Sequence, residues 1–179
     1  AAMRCAPVAF TNYGDYYSLK LMAGMQGAIT HMDQMAIASS IALSMATAYL
    51  MNIEPYSIKE TEEVFELIDT ISHSIKGIET VVYRSRKEEE IANLYTRFSL
   101  DLENALKSKQ DIIEIEKKWG SSAYVLESLP YAFYAFLNNP NDFEQVLYNC
   151  LRAEDTDTVT SMALTLAGAY IGFNNIPKV

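Results

Sequence analysis

In 179 residues there are only two cysteines, five prolines, seven glycines and one tryptophan. Two cysteines as far apart as Cys5 and Cys150 cannot frame a disulfide-stapled domain, and their spacing is neither that of a metal site nor that of a redox motif. They read as reduced, buried thiols of a cytoplasmic protein. The scarcity of glycine and proline disfavours a turn-rich sandwich or barrel. Basic residues are also short, 14 Lys and Arg against 23 Asp and Glu, for a net charge of −9. A nucleic-acid partner would require a basic face that releases counterions from phosphates, so none is expected. A small anionic ligand stays admissible, because helix N-termini and metal ions can hold one. No charged segment leading into a short apolar run opens the chain, so no signal peptide is expected. The longest uncharged run, Met35 to Met51, reaches only the lower edge of a membrane-spanning length and is diluted by Ser39, Ser40, Ser44 and Thr47. It is expected to be a helix buried on nearly all sides within a helical protein, with no membrane partner.

What the chain has is apolar content, 50% of residues, with 21% charged. That is enough to fold one core without staples and too apolar for disorder. The apolar period is helical almost throughout. Residues 16–29 read as a helix. Asp33 can cap another that runs to Met51. Ser57, with Glu60 three residues on, can form a capping box for a helix whose stripe is Val64, Leu67, Ile68, Ile71 and Ile75, stopped at Gly77. Thr80 to Tyr83 is the one β-like run, too short to build a sheet. From Arg84 to Lys118 the chain is charge-rich, with i,i+4 pairs Arg84/Glu88 and Arg86/Glu90 and an apolar stripe of Leu94, Phe98, Leu102 and Leu106. It reads as an exposed amphipathic helix rather than a binding tail. Further helices are expected from Ala123 to Leu137, from an Asn141 cap with Glu144 at the box position to Ala153, and from Thr156 onward. The architecture is an all-α bundle of about seven or eight helices.

Chemistry concentrates at Asp155-Thr156-Asp157-Thr158, between two helices. Asp and Thr are good N-caps, and that alone explains the spacing. The same geometry lets side chains at i, i+2 and i+3 converge on one point, and two carboxylates with a hydroxyl are hard oxygen ligands suited to Mg²⁺, Mn²⁺ or Ca²⁺ rather than zinc. Such a set leaves an octahedral shell incomplete.

The run from Ala153 through Thr158, then Met162-Ala163, Leu166-Ala167-Gly168-Ala169-Tyr170-Ile171-Gly172 and Ile176-Pro177, resembles the C-terminal signature of the ADP-ribosylglycohydrolase family. Gly120-Ser121-Ser122-Ala123-Tyr124-Val125, followed by Ser128-Leu129-Pro130-Tyr131-Ala132, resembles the ligand loop of that family and the helix after it. Asn141-Asp142-Phe143-Glu144 resembles the start of its next helix, and Ile29-Thr30-His31 with Asp33 its Thr-His turn. Ala1 to Pro7 resembles an interior segment that follows an Asn-Gly phosphate loop in the family.

The resemblance implies an all-α ADP-ribosylglycohydrolase-like bundle, of which residues 1–179 are the C-terminal portion of a single domain. It implies a binuclear site, usually two Mg²⁺ and alternatively Mn²⁺, with Asp155, Asp157 and Thr158 as this chain's ligands. It implies that His31 contacts the ligand and that Gly120, Ser122 and Tyr124 line its adenosine side. The implied reaction is hydrolysis of the glycosidic bond at the ribose C1″ of an ADP-ribosylated protein or related ADP-ribose conjugate. The other half of the metal site and the acidic catalytic residue would belong to an N-terminal segment, the implied partner within the domain. No residue here is marked by motif as general acid or base. Two departures from the pattern stand out: Glu154 and Leu164 occupy positions where the family usually has glycine. The resemblance also leaves open a member that binds ADP-ribose or metal without turnover, or a structural, crystallin-like one.

Overall fold

A computed structural model describes residues 1–59, 61–84 and 91–178, with the side chains of Thr61 and Ile91 excepted. The chain is all-α. Its principal helices are α1 (Ala6–Asn12), α2 (Tyr16–Ala28), α3 (Gln34–Met51), α4 (Thr61–Ile75), α5 (Leu94–Thr96), α6 (Glu103–Lys107), α7 (Ile112–Trp119), α8 (Val125–Leu137), α9 (Phe143–Cys150) and α10 (Thr156–Ile171).

Helix α3 is the axis of the molecule. It packs against α1, α2, α4, α8 and α10, and 14 of its 18 residues are buried. By length and composition it could cross a membrane. In this fold its uncharged run is covered by neighbouring helices instead. Three of the hydroxyls buried with it are satisfied locally: Ser39 and Ser40 donate to the Ala36 carbonyl at 2.8 and 2.9 Å, and Thr47 donates to Leu43 at 2.7 Å, while Ser44 donates to the Cys5 carbonyl at 3.3 Å. Asp33 caps the helix by accepting the Ala36 N–H at 2.9 Å. Small residues let α2 approach closely; a Cβ on Gly27 would lie 2.5 Å from Ser40 Oγ.

Helices α8 and α10 form the second layer of the core. Every residue of α8 from Leu126 to Leu137 is buried. Its aromatic rings meet neighbours edge-on: Phe133 with Phe98 at 4.7 Å, Tyr134 with Trp119 at 6.0 Å, and Phe136 with Tyr170 at 6.0 Å. The free thiols Cys5 and Cys150 are both buried, and burial pushes Cys150 up to about 12. Burial raises Cys5 as well, so both stay protonated thiols at neutral pH.

Two expected caps are displaced, and one network explains both. Helix α4 begins at Thr61, and Ser57 instead sits in a turn, its N–H bonded to the Glu54 carbonyl at 3.1 Å. Glu60 lies outside the described residues. Helix α9 is capped by Asp142, which accepts the Gln145 N–H at 2.9 Å, and not by Asn141. Asn141 Nδ2 donates to the Ile58 carbonyl at 2.6 Å, the Tyr170 hydroxyl donates to Asn141 Oδ1 at 2.9 Å, and the Ile58 N–H donates to the Tyr170 oxygen at 2.7 Å. The backbone of Ile58 is thus held in non-helical geometry by α10 and the turn before α9. That delays α4 and removes Asn141 from capping.

The charge-rich stretch is not one exposed helix. Tyr83–Arg84 pairs antiparallel with Ile91–Ala92, and the expected ion pairs of Arg84/Glu88 and Arg86/Glu90 fall outside the described residues. Residues 94–107 then form a helical segment, with a wide turn over Arg97–Leu102. The predicted stripe of Leu94, Phe98, Leu102 and Leu106 is buried. Arg97 is buried with it and pairs with Asp101 at 2.9 Å.

Glu79 is tucked under this segment. Its Oε2 accepts the N–H groups of Leu94 and Tyr95 at 2.8 and 3.4 Å. Burial pushes its carboxyl from an ordinary 4.5 up to about 7, the two N–H groups pull it down, and the like charge of Asp33 adds to the rise. Because the folded value lies above the unfolded one, this contribution to stability is complete below about pH 4.5 and is lost as pH rises through about 7. Discounted for partial contact with water, the loss is about 1–3 kcal/mol. Glu79→Gln, permanently neutral, should melt higher than the parent at pH 8 and together with it at pH 5. Parallel melting curves at both pH values would refute this.

Candidate functional site

The Asp155 turn is built as the N-terminus of α10. Asp155 Oδ1 accepts the Thr158 N–H at 3.4 Å, and the Thr156 hydroxyl donates to the Ala153 carbonyl at 2.8 Å. Asp157 is exposed in the first helical turn, where the dipole favours an anion. Hydrogen bonding with Asp155, and then with the backbone N–H groups of Asp157 and Thr158, holds the Asp157 carboxyl below the usual carboxylate range. It is therefore ionised at neutral pH. The Thr158 hydroxyl lies 3.7 Å from Met3 Sδ, so the N-terminal segment flanks the turn. Two carboxylates and a hydroxyl thus stand together as hard oxygen donors, a fit to Mg²⁺ or Mn²⁺. Among the described residues no three acidic, His or Cys side chains converge, and three oxygen donors do not fill an octahedral shell. Glu154 is exposed and does not crowd the turn, and Leu164 is half-buried against the core.

The loop Gly120–Tyr124 is tied to this turn. The Asp155 N–H donates to the Ser121 carbonyl at 2.9 Å, and the Glu154 N–H to the Ser121 hydroxyl at 2.9 Å. Removing that hydroxyl with Ser121→Ala should destabilise the chain by about 1–2 kcal/mol, read as a lowered melting temperature; an unchanged value would show that the turn holds without it. Gly120 ends α7 with φ +80°, a region that favours glycine, and a Cβ there would lie 2.6 Å from Glu127 Oε2. Ser122 is buried, its hydroxyl donating to Glu127 Oε2 at 2.6 Å. Gly120 and Ser122 therefore shape the loop from within. Glu127 and Ser121, which do the anchoring, were not singled out from sequence. Glu127 had a signal, as the sole charge in a 13-residue apolar helix.

His31 and Tyr124, 93 positions apart, line one cavity of about 360 Å³ together with Asp33, Ser39 and Tyr83. That volume suits a small organic ligand. The Thr30 hydroxyl and His31 Nδ1 are 2.7 Å apart, and the Arg4 guanidinium donates to the same hydroxyl and to the Gln26 carbonyl. This network fixes the ring's direction. Tyr124 is three residues beyond Ser121, a reach of at most about 11 Å. Asp-rich turn and cavity therefore adjoin along one loop.

The ADP-ribosylglycohydrolase family profile matches residues 1–179. The chain is 21% identical to ADP-ribosylhydrolase ARH3 of Bos taurus, over 99% of this chain and 50% of that protein. It is 25% identical to an uncharacterized protein of Archaeoglobus fulgidus, over 94% of this chain and 48% of that protein. ADP-ribosylarginine hydrolase Tri1 of Serratia proteamaculans is 36% identical over 32% of this chain and 16% of its own length. The chain spans about half the length of the curated relatives that it matches along its full extent. By its match from first residue to last, the chain belongs to the ADP-ribosylglycohydrolase family.

Proposed function

We propose that this chain supplies one side of a metal-dependent site that binds ADP-ribose and hydrolyses its glycosidic bond to a protein or related acceptor. The observation that carries the reading is the backbone bond from Asp155 to Ser121, which holds the Asp-Thr-Asp-Thr turn beside the loop leading to the His31–Tyr124 cavity. The names of the relatives, an ADP-ribosylhydrolase and an ADP-ribosylarginine hydrolase, agree with that substrate class.

Asp155, Asp157 and Thr158 would hold Mg²⁺, or Mn²⁺, through their oxygens. When bound, the metal supplies orientation of ribose hydroxyls and water and stabilisation of charge at the cleaved bond. The exposed carboxylates of Asp33, Glu154 and Asp157 repel a diphosphate, and Arg4 offers a positive charge beside His31. Tyr124 offers an aromatic face to adenine, and His31, fixed by Thr30, a ring nitrogen to the ligand. Gly120 and Ser122 set the loop's path from inside.

The test is calorimetric titration of ADP-ribose into the protein that carries this chain, with and without Mg²⁺. Binding is expected to need Mg²⁺. Tyr124→Ala is expected to weaken it about 10- to 100-fold, the loss of one base stacked on an aromatic ring. No binding in Mg²⁺, or equal binding by Tyr124→Ala and His31→Ala, overturns the reading. The 179 residues alone are expected to show no turnover of ADP-ribosyl-arginine or ADP-ribosyl-serine, because three oxygen donors do not complete a binuclear site.

A further inference from the structure

A second cavity, of about 340 Å³, opens at the end of the molecule where Tyr170 holds Ile58 and Asn141. Its floor is apolar and buried, built from Ile58, Val64, Leu106 and Leu137. Its charge is of one sign. Lys59 and Lys109 line it, and among the described residues no acidic side chain does. In a chain with 14 basic and 23 acidic residues, that reverses the overall balance locally. Neither lysine has an ion-pair partner among the described residues. The opposite wall is already fixed: the Asn141 amide spends its nitrogen on the Ile58 carbonyl and its oxygen on the Tyr170 hydroxyl.

The backbone at this end is strained. Two non-glycine residues among the described ones have positive φ, Tyr56 at +60° and Lys109 at +49°. The first lies two residues before Ile58, and the second lines the cavity itself. Lys109 follows α6 where a helix ending of this kind favours glycine: its N–H donates to the Leu106 carbonyl at 3.2 Å, and the Gln110 N–H to the Ala105 carbonyl at 3.1 Å. Lysine there gives up backbone stability that glycine would keep, and residues held at such a cost concentrate at functional sites. What the position gains is an ammonium group at the cavity mouth. We propose that this cavity binds a small organic anion, its carboxylate or phosphate head held by Lys59 and Lys109 and its apolar body resting on Ile58, Val64, Leu106 and Leu137. The volume lies in the range of small-molecule sites, and lysine serves an oxyanion as a point charge on a flexible stem. The cavity shares no lining residue with the one at His31 and Tyr124. Tyr170 lies about 18 Å along α10 from Thr158, so the inference stands apart from the ADP-ribose reading.

Titration calorimetry on the native protein that carries this chain tests it, with phenyl phosphate, benzoate and inorganic phosphate as probes. One of the two aromatic probes is expected to bind about ten-fold more tightly than inorganic phosphate, because the floor holds its ring; which of them binds tighter identifies the head group. Lys59→Gln and Lys109→Gly are each expected to weaken that probe about ten-fold, the loss of one charge-assisted hydrogen bond. Lys109→Gly should melt no lower than the parent, since glycine suits φ +49°, so its lost affinity would not come from lost folding. Lys59 is exposed, and Lys59→Gln decides the matter if the glycine variant does melt lower. Tyr124→Ala, in the other cavity, should leave the affinity unchanged. Binding by neither aromatic probe at millimolar concentration overturns the proposal. So does inorganic phosphate binding as tightly as both, full affinity in Lys59→Gln, or affinity lost in Tyr124→Ala.

Discussion

Replacing Asp157 with Asn is expected to abolish the rise in melting temperature that Mg²⁺ gives the protein carrying this chain. The substitution keeps the shape of the side chain and removes its charge. Asp157 is exposed, and Asp155 rather than Asp157 caps α10, so the fold should survive. Asp155→Asn would be harder to read, because it alters cap and metal donor together. A ligand that binds only the folded state stabilises by about 2.7 kcal/mol at 100 times its Kd. For a protein of this size or larger that is a rise of roughly 5–10 °C. The parent should show it in excess Mg²⁺ and the variant should not, with equal melting temperatures in chelator. A variant that keeps the full shift would show that the turn is only a cap.

Gly120→Ala should be among the most damaging single methyl additions in the chain. Its φ of +80° and ψ of 174° fall where non-glycine residues pay about 1–3 kcal/mol. The new Cβ also lies 2.6 Å from Glu127 Oε2 and 2.8 Å from its Cδ. Glu127 is 1% exposed and cannot swing into water; moving it breaks the 2.6 Å bond from Ser122. Together these predict a loss of about 3–5 kcal/mol, or roughly 10 °C in melting temperature. The cost should shrink in a Glu127→Ala background, since the two changes share a contact. A variant within about 1 kcal/mol of the parent would mean that the loop relaxes freely.

Local rules located what local physics decides. Asp33 and the uncharged run after it predicted α3, and the spacing of Val64, Leu67, Ile68, Ile71 and Ile75 predicted the buried face of α4. Ser57 and Asn141 look like caps and are not, because the Tyr170 hydroxyl engages Ile58 and Asn141 from far along the chain. No window of neighbouring residues contains that fact. The site divides in the same way. Asp155 and Asp157 are legible as caps from spacing and as metal donors only through family resemblance. That His31 and Tyr124 share a cavity needs the fold, since α3 and α8 bring them together. Glu127 was visible in principle: a carboxylate inside an apolar helix needs a partner, and Ser122 is it.

The Tyr170 latch also sets an order in time. Ile58 leaves the ribosome 112 residues before the phenol that satisfies its backbone. At about 5–20 residues per second that wait is roughly 6–20 s. Helices α1, α2 and α3 contact one another within the first 51 residues and can begin to pack as they emerge, although α3 must wait for α4, α8 and α10. The loop ahead of α4 cannot set until α10 is nearly whole, which makes residues 57–59 a late joint of the nascent chain.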